Sequence, residues 1–413
     1  MPHRHAVILL VLILVGVIGG IYSGWVWGDE MTRVAWLGKL FLDALKMMII
    51  PLVFAAIVSG VASLGDVRKL GRLGGITLVY FVSTTAIAVL IGLILVNLIQ
   101  PGVGLQFETA GLAPEVLARK DVGATDILSS LITPNLVAAA AETQLLPLIV
   151  FAIVFSAALT TLGRVGEHVI AFFNGFNEAM MKMVTWLMYF SPVGIFALVA
   201  ARLGQAGGGE AFMSEIQAVG LHIATVLSGL AVQFVVLALI LVFIAGRGMD
   251  YLVGLLRALL TAFGTASSSA TLPVTMECAR EKRIDKRAVK FVLPLGSTVN
   301  MNGTALYEAA AVMFIAQAYG IEMGIGQQTV VFITATLAAI GAAGIPEAGL
   351  VTMVIVLNAV GLPLEGIGLL LSVDWFLDRF RTSVNVWGDA VGAAVVDRLL
   401  PPPKEYALAA APA

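Results

Sequence analysis

The chain has 413 residues, of which 59% are hydrophobic and only 12% charged, with a formal net charge of −2. Its mean hydropathy of +0.98 lies far outside the range of soluble globular proteins, so the composition predicts an integral membrane protein. The near-neutral charge excludes a basic surface built to bind nucleic acid. One cysteine and four scattered histidines exclude an internal disulfide and indicate that no metal cofactor is bound.

The apolar segments predict eight transmembrane helices, since crossing about 30 Å of hydrocarbon takes roughly 20 helical residues. These segments are 6–28, 36–64, 75–100, 129–162, 166–202, 214–246, 285–319 and 362–398. Several exceed the minimum length, so tilting, kinking or breaking is expected. Pro51, Pro134, Pro147 and Pro192 are the predicted kink points.

The first apolar run, residues 6–21, could also be taken for a signal peptide. It is long for the apolar core of a signal sequence and continues through Trp25 and Trp27, with no small-residue cleavage site. We therefore predict that it is the first transmembrane helix.

The positions of lysine and arginine predict the orientation. Basic residues crowd the loop around 68–72 and the loop at 280–290, and such loops are usually cytoplasmic. Counting spans from these loops places both termini in the cytoplasm.

Two further apolar segments, 251–278 (hairpin 1) and 327–360 (hairpin 2), are each interrupted midway by small or helix-breaking residues. Each arm of about 13 residues spans only about 20 Å, which is too short to cross. We therefore predict two re-entrant helical hairpins. Each precedes a long helix with unusual polar residues. If hairpin 1 enters the membrane from the cytoplasm, the single span after it makes hairpin 2 enter from the outside. This order predicts inverted repeats with a substrate site near the membrane midplane.

The strongest functional signal lies in the last apolar segment, where polar residues fall on one face. At 100° per residue they cover an arc of about 100°. They are Asp374, Asp378, Arg381, Thr382, Asn385 and Asp389. Charges at this depth normally face a cavity or one another. One interpretation is a pocket for a molecule carrying both charges, in which Arg381 binds a carboxylate, Asp378 an ammonium and Asp389 a cation. The alternative is a set of structural ion pairs.

The preceding apolar segment contains a second dense polar group, from Asn300 to Glu308. Gly303 would permit local unwinding, which would expose main-chain carbonyls to a hard cation. The alternative is a packing glycine with amide bonds between helices. Glu308 is predicted to be a proton carrier or, alternatively, a partner of Arg379 or Arg381.

The run 267–269 consists of three serines at the predicted tip of hairpin 1. They can allow close packing, and they can also present N–H and hydroxyl groups to a substrate carboxylate. No G-x-S-x-G pattern or nearby histidine supports a nucleophilic serine, so we predict that the protein is not an enzyme.

Five ordered motifs carry a resemblance to a known family. They are residues 46–60 (KMMIIPLVFAAIVSG), 267–275 (SSSATLPVT), 300–308 (NMNGTALYE), 344–353 (GIPEAGLVTM) and 374–389 (DWFLDRFRTSVNVWGD). Over nearly its whole length the chain resembles the dicarboxylate/amino acid:cation symporter family, the glutamate and aspartate transporters. The resemblance implies a prokaryotic member in a bacterial inner membrane.

The family architecture implied by the resemblance is a homotrimer of elevator-type transporters in contact with membrane lipid. In each protomer a static scaffold is formed by 6–64 and 129–202. A transport domain formed by 75–100 and 214–398, including both hairpins, moves across the membrane.

The resemblance also implies roles for individual residues. The implied substrate-binding residues are Arg381, Asp378, Thr382, Asn385, Ser268, Thr304, Ile345 and Gly349. Arg381 corresponds to the side-chain carboxylate binder, which implies an acidic amino acid. The implied sodium ligands are Gly296, Asn300, Asn385 and Asp389 at one site, Thr298 and Met301 at a second, and Thr84, Thr85 and Asn302 at a third. Glu308 resembles the animal proton carrier.

Two residues depart from the family pattern. Asn302 stands where the family has aspartate, and Phe81 where archaeal members have tyrosine. Loss of a carboxylate weakens a hard-cation site, so we expect fewer sodium ions per cycle, with protons sharing the coupling. The remaining alternatives are a cation-coupled carrier of C4-dicarboxylates or neutral amino acids on the same fold, and a passive channel.

Overall fold

A computed structural model describes residues 3–62, 71–105, 129, 131–142, 144–205, 209–341 and 348–400. Within these residues the chain is helical and contains no β-strand. The helices are α1 (His3–Trp27), α2 (Ala35–Ala62), α3 (Gly71–Ile99), α4 (Leu136–Ala141), α5 (Leu145–Thr160), α6 (Arg164–Met188), α7 (Ser191–Gln205), α8 (Gly209–Phe243), α9 (Met249–Thr265), α10 (Ser268–Glu281), α11 (Lys286–Val299), α12 (Asn302–Ala318), α13 (Ile325–Ala338), α14 (Ala348–Val360) and α15 (Ile367–Leu399). Short 3₁₀ turns cover Gly28–Val34, Ala339–Gly341 and Leu364–Gly366.

Three of the predicted long spans are broken. The segment 129–162 contains α4 and α5, 166–202 contains α6 and α7, and 285–319 contains α11 and α12. Pro147 and Pro192 lie in the first turns of α5 and α7, where a missing N–H costs no helical hydrogen bond. These two prolines therefore begin helices instead of bending them.

Three helical segments in the described part are long and apolar enough to cross a membrane. They are Val11–Phe41, Gly71–Ile99 and Gln217–Phe243. Among the other predicted spans, 129–162, 166–202 and 285–319 are broken into shorter helices, and α15 carries many charged residues. The count of eight transmembrane helices stays a prediction.

Hairpin 1 is a helix–turn–helix, as predicted. α9 has 17 residues and α10 has 14, and the chain turns at Ala266, whose φ of 49° is left-handed. The Ser267 hydroxyl accepts a hydrogen bond from the Ala270 N–H and so caps α10. Hairpin 2 has arms α13 and α14, and residues 342–347 of its predicted interruption at 341–349 lie outside the described residues.

The helices pack in two groups. α1 packs on α7, and α2 packs on α5, α6 and α7. In the other group α15 contacts α3 and each helix from α8 to α12, and α3 also packs on α8, α12 and α13. The groups meet where α15 contacts α7 and where α2 contacts α14.

Glycines make the α1–α7 contact close. A Cβ added at Gly16 would lie 2.5 Å from the Pro192 carbonyl oxygen, and one added at Gly20 would lie 2.9 Å from the Phe196 carbonyl oxygen. Only glycine allows two helix backbones to approach at this distance. The four-residue spacing of the two glycines places both on one face of α1.

Candidate functional site

The polar face of α15 points into the protein. Asp374, Asp378, Arg381, Thr382, Asn385 and Asp389 are all at most 5% exposed. The predicted helical arc is therefore buried, as its sequence pattern indicated. The helices packed around this part of α15 are α3 and α8 to α12.

Arg381 is fully buried and forms ion pairs with two carboxylates of its own helix. Its Nη1 lies 2.8 Å from Asp374 Oδ1, and its Nη2 lies 2.9 Å from Asp378 Oδ1. Its Cζ lies 4.0 Å from the centre of the Tyr307 ring, a cation–π contact. Two of the structural ion pairs considered as the alternative to a pocket are therefore formed. A guanidinium has five N–H donors, however, and Nε has no partner among the described residues.

Two glycines allow backbone to lie against Arg381. A Cβ at Gly349 of α14 would lie 2.7 Å from Nη1, and a Cβ at Gly303 of α12 would lie 2.5 Å from the Arg381 carbonyl oxygen. Hairpin 2 therefore touches the guanidinium through Gly349.

The break between α11 and α12 lies at Asn300 and Met301, whose backbones leave the helical region with ψ values of 68° and 61°. The prediction of local unwinding is confirmed, but its assignment to Gly303 is wrong. Gly303 already belongs to α12, and it is required because the α15 backbone lies against it.

Asn385 joins the break to α15. Its Oδ1 accepts a hydrogen bond from the Gly303 N–H at 2.7 Å, and its Nδ2 donates to the Thr304 hydroxyl at 3.2 Å and to the Met301 sulfur at 3.3 Å. Thr382, one turn before, is also buried. The structure thus brings Asn385, Thr304 and Met301 together.

Asp389 lies beside the same break. Its Oδ1 accepts a hydrogen bond from Asn300 Nδ2 at 3.0 Å, and a Cβ at Gly296 would lie 2.4 Å from that oxygen. The Thr84 hydroxyl is 3.4 Å from Asn300 Oδ1. Gly296, Asn300 and Asp389 are therefore adjacent, and oxygen atoms of this kind are the ligands that hard cations take.

Asn302 lies beside this cluster. Its Oδ1 accepts a hydrogen bond from the Thr85 hydroxyl at 2.9 Å, while its Nδ2 is buried without a partner among the described residues. The Thr298 hydroxyl donates its hydrogen bond to the Leu295 carbonyl of its own helix and not to a member of this cluster. The Asn302 amide presents a donor where a carboxylate would present only acceptors.

Glu308 is fully buried in α12 beside the Thr352 hydroxyl of α14. Neither carboxylate oxygen has a hydrogen bond of ordinary length and angle within the described part of the chain. Arg379, one of the two partners considered for it, instead donates to the Phe263 and Gly264 carbonyls at the end of α9.

The hairpin tips are only partly described. Ser268 is buried at the start of α10, which packs on α15. Ile345 lies outside the described residues, so its predicted place beside the substrate stays a prediction.

Asp374 and Tyr307 both contact Arg381, and the sequence pattern predicted no separate role for either residue. Asp374 lies seven residues before Arg381, which on a helix is two turns and almost the same face. That spacing was a usable signal for the ion pair. Tyr307 approaches from another helix, so no spacing within the sequence indicates its stacking.

Comparison with known proteins gives the family. The model described as "Sodium:dicarboxylate symporter family" matches residues 9–399. Excitatory amino acid transporter 3 of Mus musculus is 40% identical over 416 residues, which cover 88% of this chain and 78% of the relative. An excitatory amino acid transporter of Caenorhabditis elegans is 37% identical over 89% of this chain and 82% of the relative. Neutral amino acid transporter A of Bos taurus is 39% identical over 90% and 77%. This chain is an integral membrane protein that belongs to the sodium:dicarboxylate symporter family.

Proposed function

We propose that the protein is a secondary active symporter that moves an acidic amino acid, aspartate or glutamate, into the cell together with Na⁺, H⁺ or both. The observation that carries the proposal is the buried Arg381, which is held by two carboxylates and whose Nε has no partner among the described residues. Relatives named excitatory amino acid transporters support it.

Arg381 would bind the side-chain carboxylate of the substrate. Within the described part of the chain its ion pairs use one N–H of Nη1 and one of Nη2, which leaves three of the five donors for a bidentate contact. Asp374 and Asp378 would hold the guanidinium in position during binding. A carboxylate offers about four lone-pair sites, so Asp378 can accept the substrate ammonium while it remains bound to Arg381.

The remaining substrate contacts would come from Thr382, Asn385 and Thr304, with Ser268 and residues 345–349 closing the site from the two hairpin tips. A neutral amino acid would offer these N–H groups of Arg381 no carboxylate, and each buried donor left unsatisfied costs about 1–3 kcal/mol. Arg381 therefore favours an acidic substrate over the neutral substrate named for the bovine relative.

For the coupling ions, we propose one sodium site at Gly296, Asn300, Asn385 and Asp389 and a second involving Thr298 and Met301. A third site at Thr84, Thr85 and Asn302 is disfavoured, because Asn302 lacks the second acceptor oxygen and the negative charge that a carboxylate would offer a cation. Glu308 is proposed to carry a proton.

We also propose that the chain has eight transmembrane helices with both termini in the cytoplasm, and that it forms homotrimers in a bacterial inner membrane. The scaffold would comprise 6–64 and 129–202, and the domain that moves as an elevator would comprise 75–100 and 214–398. The packing of α1, α2 and α5 to α7 in one group and α3 and α8 to α15 in the other supports this division.

The test is uptake of radiolabelled aspartate by purified protein in liposomes under sodium and proton gradients imposed separately. We expect uphill accumulation, competition by glutamate and little competition by succinate or serine. Flux that ignores every ion gradient would indicate a channel and contradict the proposal.

Two variants sharpen the uptake test. Arg381→Ala should abolish uptake of acidic substrates. Glu308→Gln keeps the size of the side chain and removes its ionisable group, so it should lose uptake driven by the proton gradient and keep uptake driven by sodium. Unchanged proton-driven uptake in Glu308→Gln would exclude Glu308 as the carrier.

A further inference from the structure

One turn of α15, residues 387–390, is bound from three different helices. The Trp387 Nε1 donates to the Phe234 carbonyl of α8 at 3.2 Å. The Tyr80 hydroxyl of α3 donates to the Gly388 carbonyl at 2.8 Å, and the Tyr251 hydroxyl of α9 donates to the Ala390 carbonyl at 2.8 Å. Asp389 is the residue in the middle of this turn.

The two tyrosines approach α15 from nearly opposite sides. Residues 388 and 390 are two positions apart, which on a helix is a rotation of about 200°. Tyr80 is 7% exposed and Tyr251 is 1% exposed, so water does not compete for either hydrogen bond. Gly392 leaves the space for the Tyr80 ring, because a Cβ there would lie 2.6 Å from Tyr80 Cε1.

The Asp389 carboxylate has little room to move. It lies against the α carbon of Gly296, where an added Cβ would come within 2.4 Å of Oδ1, and it accepts a hydrogen bond from Asn300. A rotation of α15 by about 10° would shift a carboxylate about 5 Å from the helix axis by about 1 Å. Ion sites tolerate errors of only about 0.2 Å in ligand distance.

We propose that Tyr80 and Tyr251 are positioning residues for cation binding by Asp389. Their hydroxyls fix the rotation of the 387–390 turn, and so hold the carboxylate over Gly296 and beside Asn300. Tyr251 belongs to α9, the first arm of hairpin 1, so its hydrogen bond also connects the hairpin to the turn that carries the Asp389 carboxylate. The inference rests on the proposed role of Asp389 in sodium binding.

The test uses Tyr80→Phe, Tyr251→Phe and the double variant, each of which removes only hydroxyl groups. The sodium concentration that gives half-maximal thermal stabilisation of the purified protein is measured, together with the sodium dependence of uptake. We expect each single variant to raise the half-saturating sodium concentration about 3- to 10-fold, because the turn that holds the carboxylate loses one of its fixing hydrogen bonds. Aspartate affinity at saturating sodium should be unchanged.

Three controls separate positioning from general stability. Tyr22→Phe on the exposed face of α1 should have no effect. Gly392→Ala crowds the Tyr80 ring, so it should raise the half-saturating sodium concentration as Tyr80→Phe does. It therefore provides a second test of Tyr80 if the Tyr80→Phe protein folds poorly. In an Asp389→Asn background, where the carboxylate is absent, the tyrosine substitutions should no longer change the response to sodium.

The outcomes distinguish this inference from the proposed function. If sodium does not stabilise the wild-type protein, the proposed coupling to sodium fails. If the wild type responds and both tyrosine variants respond with the same half-saturation, the positioning role is wrong, even where their melting temperatures fall. A lower melting temperature with unchanged sodium affinity would assign the tyrosines to stability alone.

Discussion

At the scale of single residues, Arg381 combines two properties that a lysine would separate. A lysine keeps the positive charge beside Asp374 and Asp378 but loses the planar fork that binds a carboxylate with two hydrogen bonds. We expect Arg381→Lys to fold and to raise the aspartate KM about 10- to 100-fold, since a charge-assisted hydrogen bond contributes about 1.5–3 kcal/mol. The measurement is the concentration dependence of uptake. Arg398→Lys, at the exposed end of the same helix, is the matched control. An unchanged KM in a folded Arg381→Lys protein would contradict the proposed role.

Gly349 tests whether hairpin 2 must lie against the guanidinium. An alanine there would place its Cβ 3.0 Å from Arg381 Cζ and 2.7 Å from Nη1, so the guanidinium or the hairpin must shift. In Gly349→Ala we expect the concentration of unlabelled aspartate that halves uptake of radiolabelled aspartate to rise at least about 10-fold. The reason is that a displaced guanidinium loses its aligned hydrogen bonds. Gly175→Ala in α6 is the control, since its Cβ would meet nothing within 4 Å. Equal competition in the two variants would show that the close contact is not needed for binding.

The residues of the site differ in how far the sequence could predict them. The polar arc of α15 follows from helical spacing alone, and all six of its members are buried. The contact of Thr85 with Asn302 and the bonds of Tyr80 and Tyr251 join residues more than 100 positions apart. No local pattern encodes such pairs, because they depend on how whole helices pack.

At the scale of helices, the contact between α1 and α7 depends on the side of α1 that carries glycine. Gly16→Ala would place a Cβ 2.5 Å from a carbonyl oxygen of α7, and such overpacking costs about 1–3 kcal/mol. We therefore expect a lower melting temperature for Gly16→Ala in detergent. Gly19→Ala is the matched control, because its nearest neighbour would be the Phe196 ring at an ordinary 3.5 Å. Equal melting temperatures for the two variants would show that the close approach of the helices contributes no stability.

Helix existence was easier to predict than helix continuity. The apolar runs predicted helices wherever α1, α2, α3, α8 and α15 lie. The breaks between α4 and α5, between α6 and α7 and between α11 and α12 were predicted less well, because hydropathy measures apolar length and is insensitive to a turn within an apolar run. Hairpin 1 was an exception, since its small residues and serines mark the turn.

For the protein as a whole, we expect the number of coupled sodium ions to depend on how many buried carboxylates face the proposed cation sites. Asn302 offers an amide beside Thr85, and Gly388 lies so close that a Cβ there would be 2.5 Å from Asn302 Nδ2. Asn302→Asp would exchange this donor for a second acceptor oxygen and add a negative charge. We expect the variant to bind one more sodium ion per substrate than the wild type.

The measurement for Asn302→Asp is the membrane potential at which net aspartate flux into liposomes is zero, recorded at several sodium gradients. That potential depends on the ratio of sodium ions to substrate, so an added ion changes its slope against the gradient. Asn97→Asp is the matched control, because the hydrogen bonds of the Asn97 amide go to Gln328 of α13 and to the Leu93 carbonyl of its own helix. A wild-type ratio of three sodium ions would contradict the weakened third site, and an unchanged slope in Asn302→Asp would show that the asparagine does not limit the number of coupled ions.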